Sequence, residues 1–133
     1  MQVEAIVCDD IRQEQSGKYI LVGVYTGVII PAAMPVTLPL AIFLRLPLLT
    51  EGSHGVKFDF GTQNQVAVQG DLELQVGNPA LGTYLALGPF SVSISEPGFL
   101  KLGVEIDGES CEVFPETYIN APPVPLGPPT ISH

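Results

Sequence analysis

Apolar and polar side chains alternate along much of this chain, as they do in a strand with one buried face. Residues 90–95 alternate phenylalanine, valine and isoleucine with serine, and residues 56–60 alternate valine and phenylalanine with Lys57 and Asp59. A period of two residues places all the apolar side chains of such a segment on the same face. No segment shows a convincing apolar spacing of three and four residues, so we predict strands and no helix.

About eight such segments predict an all-β protein. The chain contains Gly 14 and Pro 13, which favours many turns and short strands. Asp107-Gly108 is a favoured two-residue type I′ turn and predicts a hairpin between residues 99–106 and 109–114. Strands joined by short turns are antiparallel. We therefore predict an antiparallel β-sandwich, immunoglobulin-like or jelly-roll-like, with a small β-barrel as the alternative.

Two segments lack the alternation. Residues 38–46 are almost continuously apolar, which predicts a strand buried on both faces, with Pro39 tolerated only at its end or on an edge. Residues 77–89 begin with Gly-Asn-Pro and predict a loop. Four apolar residues in that loop are expected to plug the core or to form a short helical turn: Leu81, Tyr84, Leu85 and Leu87.

The first 25 residues contain two apolar β-type runs separated by the densest group of charges in the chain. Residues 3–8 and 19–25 predict buried strands, and the polar segment that begins at Asp9 predicts a connector. Two interpretations of its charges remain open. They form a small-ligand or cation site, or Arg12 ties the connector down by charge-assisted hydrogen bonds. The candidate site residues are Asp9, Asp10, Arg12 and Glu14.

These residues also carry a resemblance. The run Cys8-Asp9-Asp10-Ile11-Arg12-x-Glu14, followed by Gly17-Lys18 and Gly23-Val24-Tyr25, resembles the opening of a bacterial family of small uncharacterised proteins. The segment Glu96-Pro97-Gly98-Phe99 and the turn at Asp107-Gly108 resemble the closing hairpin of that family. The resemblance covers most of residues 3–115. It implies a compact β-rich bacterial domain and no catalytic residues.

Composition and charge exclude several classes of protein. Hydrophobic residues make up 46% and charged residues 14%, so a wholly disordered chain is excluded. The net charge of −9 disfavours nucleic acid and anionic membrane surfaces as partners. Residues 19–44 carry no charge, but Gly23, Gly27 and three prolines disfavour a membrane-spanning helix. The first residues, Met-Gln-Val-Glu, do not resemble a secretory signal, and we expect a cytoplasmic protein.

The sequence offers little catalytic or metal-binding chemistry. The segment Gly52-Ser53-His54-Gly55 lacks the spacing of a nucleophile elbow, and the cysteines and histidines lack the spacing of zinc ligands. Cys8 and Cys111 are expected to be reduced thiols, with a disulfide as the alternative. Carboxylates around the turn at residues 107–112 are expected to be solvated. We expect no catalytic residue, no metal and no cofactor.

The C-terminal residues differ in texture from the rest. Proline is frequent after residue 115, which predicts a domain of residues 1–115 and an extended tail of residues 116–133. The tail is either a plain disordered end or an interaction arm, whose residues would be Pro122, Pro123, Val124, Pro125, Leu126 and Ile131.

Three hypotheses about function follow. The first is a non-enzymatic structural or interaction protein, which self-assembles or docks into a larger bacterial or phage-related assembly. Its partner would be itself or another protein, since a chain with a high apolar content buries much of its surface in contacts between subunits. The alternative is a small-ligand or cation-binding module at Asp9–Glu14. A hydrolase with scattered carboxylates is the third.

Overall fold

A computed structural model describes residues 1–124, which form twelve strands and no helix. The predicted all-β class is confirmed. The strands are β1 (Gln2–Gln13), β2 (Tyr19–Val24), β3 (Val28–Ile29), β4 (Val36–Arg45), β5 (Gly52–Thr62), β6 (Gln65–Val76), β7 (Tyr84–Ile94), β8 (Gly98–Phe99), β9 (Lys101–Ile106), β10 (Glu109–Ser110), β11 (Glu112–Phe114) and β12 (Tyr118–Ile119).

Two sheets form the predicted sandwich. One has the order β11-β1-β4-β7, with β2 paired to the far end of β1, and the other has the order β10-β9-β5-β6. Apolar residues of both sheets form a shared core, in which Leu44 and Val56 are fully buried. Within residues 1–124 the sheets keep open edges and do not close into the alternative barrel.

A third, small sheet of order β3-β12-β8 covers a second part of the core. Ile29 of β3 and Ile119 of β12 are each 1% exposed and belong to this second cluster. The folded chain therefore continues past residue 115, where the domain was predicted to end, because β12 supplies the middle strand of this sheet. Three predicted arm residues lie outside the described part: Pro125, Leu126 and Ile131. Pro122, Pro123 and Val124 follow β12, and Val124 is 88% exposed.

The predicted connector after Cys8 is wrong, because β1 continues to Gln13 and pairs with β2. Gln13 lies opposite Tyr19, and Ile6 lies opposite Phe43. Gln13 and Ile6 would be about 23 Å apart if β1 were straight. The ring centroids of Tyr19 and Phe43 are nevertheless 5.3 Å apart. The β1–β2 hairpin must therefore bend back over the outer face of the first sheet.

The turn at Asp107-Gly108 has the predicted type I′ geometry, with φ of 53° and 80°. The predicted second strand of this hairpin is only partly correct, because it divides at Cys111. Residues before Cys111 pair with β9, and Glu112–Phe114 crosses to the other sheet and pairs with β1 in parallel. Residues 109–114 thus join both sheets.

Two predictions in the middle of the chain need correction. Strand β7 begins at Tyr84, inside the predicted loop. The Gly88-Pro89 pair does not end the strand, because it is accommodated as a bulge in the pairing with β4. Pro39 lies inside β4, which is buried as predicted at Leu40 and Ala41. It is tolerated there because pairing with β1 ends at Ala41, so Pro39 has a strand only on its β7 side.

Candidate functional site

The four candidate charges of the opening segment do not meet at one point. The Tyr25 hydroxyl donates to Asp9 Oδ1 over 2.8 Å, and the Asp9 carboxylate lies against Gly23, where a β-carbon would overlap it. Burial of the Tyr25 ring, reinforced by the hydrogen bond and the negative charge of Asp9, raises the pKa of Tyr25 to about 12. Asp9 therefore braces the end of β2.

The other charges have separate partners. Asp10 Oδ1 accepts from the Ile11 amide at 2.9 Å, and Asp10 Oδ2 accepts from Arg12 Nε at 3.4 Å. Glu14 pairs with Lys18 at 3.4 Å in the hairpin turn. Successive residues of a strand face opposite ways, so Asp9 lies on the other side from Asp10 and Arg12. The contacts of Asp10 and Arg12 stay within β1, and that of Glu14 spans the turn between β1 and β2. Among residues 1–124 no group of three or more His, Cys, Asp and Glu side chains is placed to hold a metal.

Both cysteines are free thiols. Cys8 is fully buried, and its thiol faces the Ala41 carbonyl oxygen at 3.7 Å. Desolvation by burial raises the pKa of Cys8, which keeps the thiol protonated and unreactive. Cys111 is half-buried, and burial also raises its pKa.

His54 has a structural contact that the sequence did not indicate. Nδ1 donates to Asp107 Oδ2 over 2.6 Å, and Nε2 donates to the Thr50 carbonyl oxygen over 2.7 Å. Both partners are acceptors, so the protonated imidazolium satisfies both contacts at once. Asp107 also accepts from the Gly55 amide at 2.9 Å, so this carboxylate is not merely solvated. With both ring nitrogens occupied, His54 fastens the β9–β10 turn to the segment before β5.

This contact predicts a pH-dependent stability. Hydrogen bonds to Asp107 and Thr50 raise the pKa of His54 above 6.5, and the bond from His54 lowers the pKa of Asp107 below 3.8. The stabilisation from His54 is complete below about pH 6.5 and is lost as the pH rises through the folded-state pKa. The stabilisation from Asp107 is present above about pH 3.8 and is lost as the pH falls through its folded-state value. The pair therefore stabilises the fold most between about pH 4 and 6.5.

The measurement compares melting temperatures of the wild type and Asp107→Asn at several pH values. Asn retains the left-handed conformation of the turn and removes the charge, so it isolates the charged contact. The difference in melting temperature should be largest near pH 5.5 and smaller at pH 9. An equal difference at both values would contradict the prediction.

The surface near the start of the chain is unexpectedly apolar. Five β-branched side chains at alternate positions of β2, β3 and the residue after β3 are 40% to 62% exposed. We call them the β2–β3 strip: Ile20, Val22, Val24, Val28 and Ile30. The predicted burial of residues 19–25 is wrong at Ile20, Val22 and Val24, because β2 pairs only with β1 and these positions are left facing solvent.

The strip continues across the small sheet. Val28 lies opposite Tyr118, which lies opposite Phe99, so the three side chains share the outer face. Phe99 and Tyr118 make an edge-to-face contact with centroids 5.1 Å apart, and both are exposed. A sheet usually turns polar side chains toward solvent. This one has an apolar outer face as well as an apolar inner face.

The open sheet edges are less suited to contacts than this face. The edge strand β2 contains Gly23 with φ of 67°, and the edge strand β7 contains the bulge at Gly88-Pro89. The edge strand β6 carries an extra residue at Ala67, where its register with β5 shifts. Such interruptions limit pairing with a foreign strand. The exposed faces are therefore the more favourable contact surfaces.

Comparison with known proteins places the chain in a family without an assigned function. A model of a family of unknown function (DUF6941) matches residues 4–115, which confirms the expectation of an uncharacterised family. No curated protein matches the chain. Residues 1–124 contain no helix long and apolar enough to cross a membrane.

Proposed function

Because the chain belongs to this family of unknown function, membership assigns it no activity, and we propose from its surface that it is a non-enzymatic structural or interaction protein. It works by contact with other protein chains and self-assembles within a larger bacterial or phage-related assembly. The cytoplasm is the proposed location.

The observation that carries this proposal is the exposed β2–β3 strip. The β2 part of the strip shares its face with Asp10 and Arg12, which lie opposite Val22 and Ile20. Large exposed apolar patches rimmed by polar residues mark contact sites in soluble proteins. Complete burial of one valine or isoleucine side chain is worth about 1.5–3 kcal/mol, so covering even part of the strip favours association strongly. Phe99 and Tyr118 extend the strip with aromatic side chains, which are enriched in protein interfaces.

The proposal predicts that small polar changes in the strip weaken self-association without unfolding the chain. In the triple variant Val22→Thr, Val24→Thr and Val28→Thr, threonine keeps the β-branched shape and adds a hydroxyl to each buried contact. We expect the Kd of self-association to rise at least about tenfold, which corresponds to about 1.4 kcal/mol. Light scattering on a sizing column over a range of concentrations measures this Kd.

The control is Val66→Thr, because Val66 is 47% exposed but lies in β6, outside the strip. This variant should keep the mass of the wild type at each concentration. A wild type that remains monomeric throughout would contradict self-assembly. Equal masses for the wild type and the triple variant would contradict the role of the strip.

A further inference from the structure

The outer face of the first sheet carries a row of four side chains with a particular order. The registers place Phe114 of β11 beside Glu4 of β1, Glu4 beside Arg45 of β4, and Arg45 beside Tyr84 of β7. We call this set the Glu4–Arg45 row. Along it the order is aromatic, acidic, basic and aromatic.

The row is open to a partner. Phe114, Arg45 and Tyr84 are exposed, and Glu4 is half-buried. All four border a surface cavity of about 490 Å³, together with Leu48, which is 67% exposed. Within residues 1–124, Arg45 makes no ion pair within 4 Å, so its guanidinium is available for an external carboxylate.

The packing behind the row holds one aromatic side chain in place. The ring of Tyr84 stacks on Phe43 with centroids 5.6 Å apart and an interplanar angle of 21°. The ring of Tyr19, in the bent β1–β2 hairpin, contacts Phe43 in turn, with centroids 5.3 Å apart. A side chain that is already ordered loses less conformational entropy on binding. Tyr84 is therefore a suitable anchor for an interface.

When a second copy of the row is turned end for end, its acidic residue lies opposite the basic residue of the first copy, and its aromatic residues lie opposite aromatic residues. We propose that a second copy of this chain binds face to face through the Glu4–Arg45 row, about a two-fold axis that runs along the strands between β1 and β4. Such an axis reverses the order of the row in the second copy. Glu4 then meets Arg45 of the other copy, and Phe114 meets its Tyr84, and each contact occurs twice.

The charges favour a second copy over an unrelated partner. A two-fold contact places the same patch on both sides, so each charge must find its opposite within that patch. The row meets this condition although the chain as a whole has a charge of −9. Aromatic and arginine side chains are also the common anchors of interfaces. The inference rests on the proposed self-assembly and assigns it a second surface, separate from the β2–β3 strip.

The test uses charge reversal and mixing. Glu4→Arg gives a copy with two positive charges in the row, and Arg45→Glu gives a copy with two negative charges. Each variant alone should associate at least about tenfold more weakly than the wild type, because like charges meet twice across the axis. An equimolar mixture of the two variants should form a one-to-one dimer, since both cross-axis pairs are then opposite in sign.

Light scattering of each variant and of the mixture reads the association, and the melting temperature of each reads the fold. The double variant Glu4→Arg with Arg45→Glu keeps one charge of each sign in every chain and should recover the homodimer even if a single variant folds poorly. Single variants that keep the wild-type mass, or a mixture that stays monomeric, would overturn the proposal. If the strip variants dissociate the assembly while the row variants do not, the row fails and the proposed function stands. A wild type that is monomeric at every concentration overturns both.

Discussion

A chain that stops after Thr117 is expected to be much less stable than one that stops after Val124. The shorter chain lacks β12, which is the middle strand of the small sheet and pairs with both β3 and β8. It also lacks Ile119, which is 1% exposed and packs in the second core cluster. Loss of one buried isoleucine side chain costs about 2–5 kcal/mol, and the loss of pairing adds to it. A loss of this size is a large part of the about 5–15 kcal/mol by which domains are typically stable.

Urea denaturation of the two truncated chains measures this difference. The chain that stops after Val124 is the matched control, because it keeps β12 and removes only residues that follow the small sheet. Ile119→Ala in the full chain gives a milder version, with an expected loss of about 2–5 kcal/mol. Equal midpoints for both truncations would show that β12 does not stabilise the domain.

The second large effect is expected from one added methyl group in β5. Gly61 is buried where β5 turns into β6, at the register shift between the two strands. A β-carbon at Gly61 would overlap the backbone oxygen of Gln65 and lie 2.9 Å from the backbone nitrogen of Ala67. Backbone atoms cannot move aside as the end of a side chain can. Overpacking of this kind typically costs about 1–3 kcal/mol, and we expect Gly61→Ala to lie at the upper end.

Gly55→Ala is the control for this prediction. Gly55 lies in the same strand, but nothing is within 4 Å of its β-carbon position. Its midpoint in urea should remain close to that of the wild type, or rise slightly because alanine restricts the unfolded chain. If Gly61→Ala were as stable as Gly55→Ala, the close contact with the β5–β6 turn would be wrong.

The candidate site was less predictable than the fold. The sequence singled out Asp9–Glu14 because charges are rare in this chain, but it could not show that β1 continues through them and divides them between two faces. It also treated residues 19–25 as buried, because β-branched residues suit covered strands. A strand is buried only where another part of the chain packs over its face. Strand β2 pairs only with β1, and its alternate side chains are left exposed. The exposed strip therefore appears only when the sheets are placed.

Contacts between distant residues were beyond the reach of local pattern. His54 and Asp107 are far apart in the chain and meet only because β5 pairs with β9. The Glu4–Arg45 row likewise draws one residue from each of four strands, and its order exists only in the register of the sheet.

The sequence by itself determined the all-β class, the antiparallel sandwich and the type I′ turn at Asp107-Gly108. These features depend on side-chain alternation and on backbone preferences of adjacent residues, which act over a few positions. Only the tertiary structure decided that Glu112–Phe114 crosses to the other sheet, that Tyr118–Ile119 completes the core, and that the β2–β3 strip is left exposed. The physical reason is that burial depends on which strands meet, and strands far apart in the chain meet through the sum of many weak contacts rather than through any one local signal.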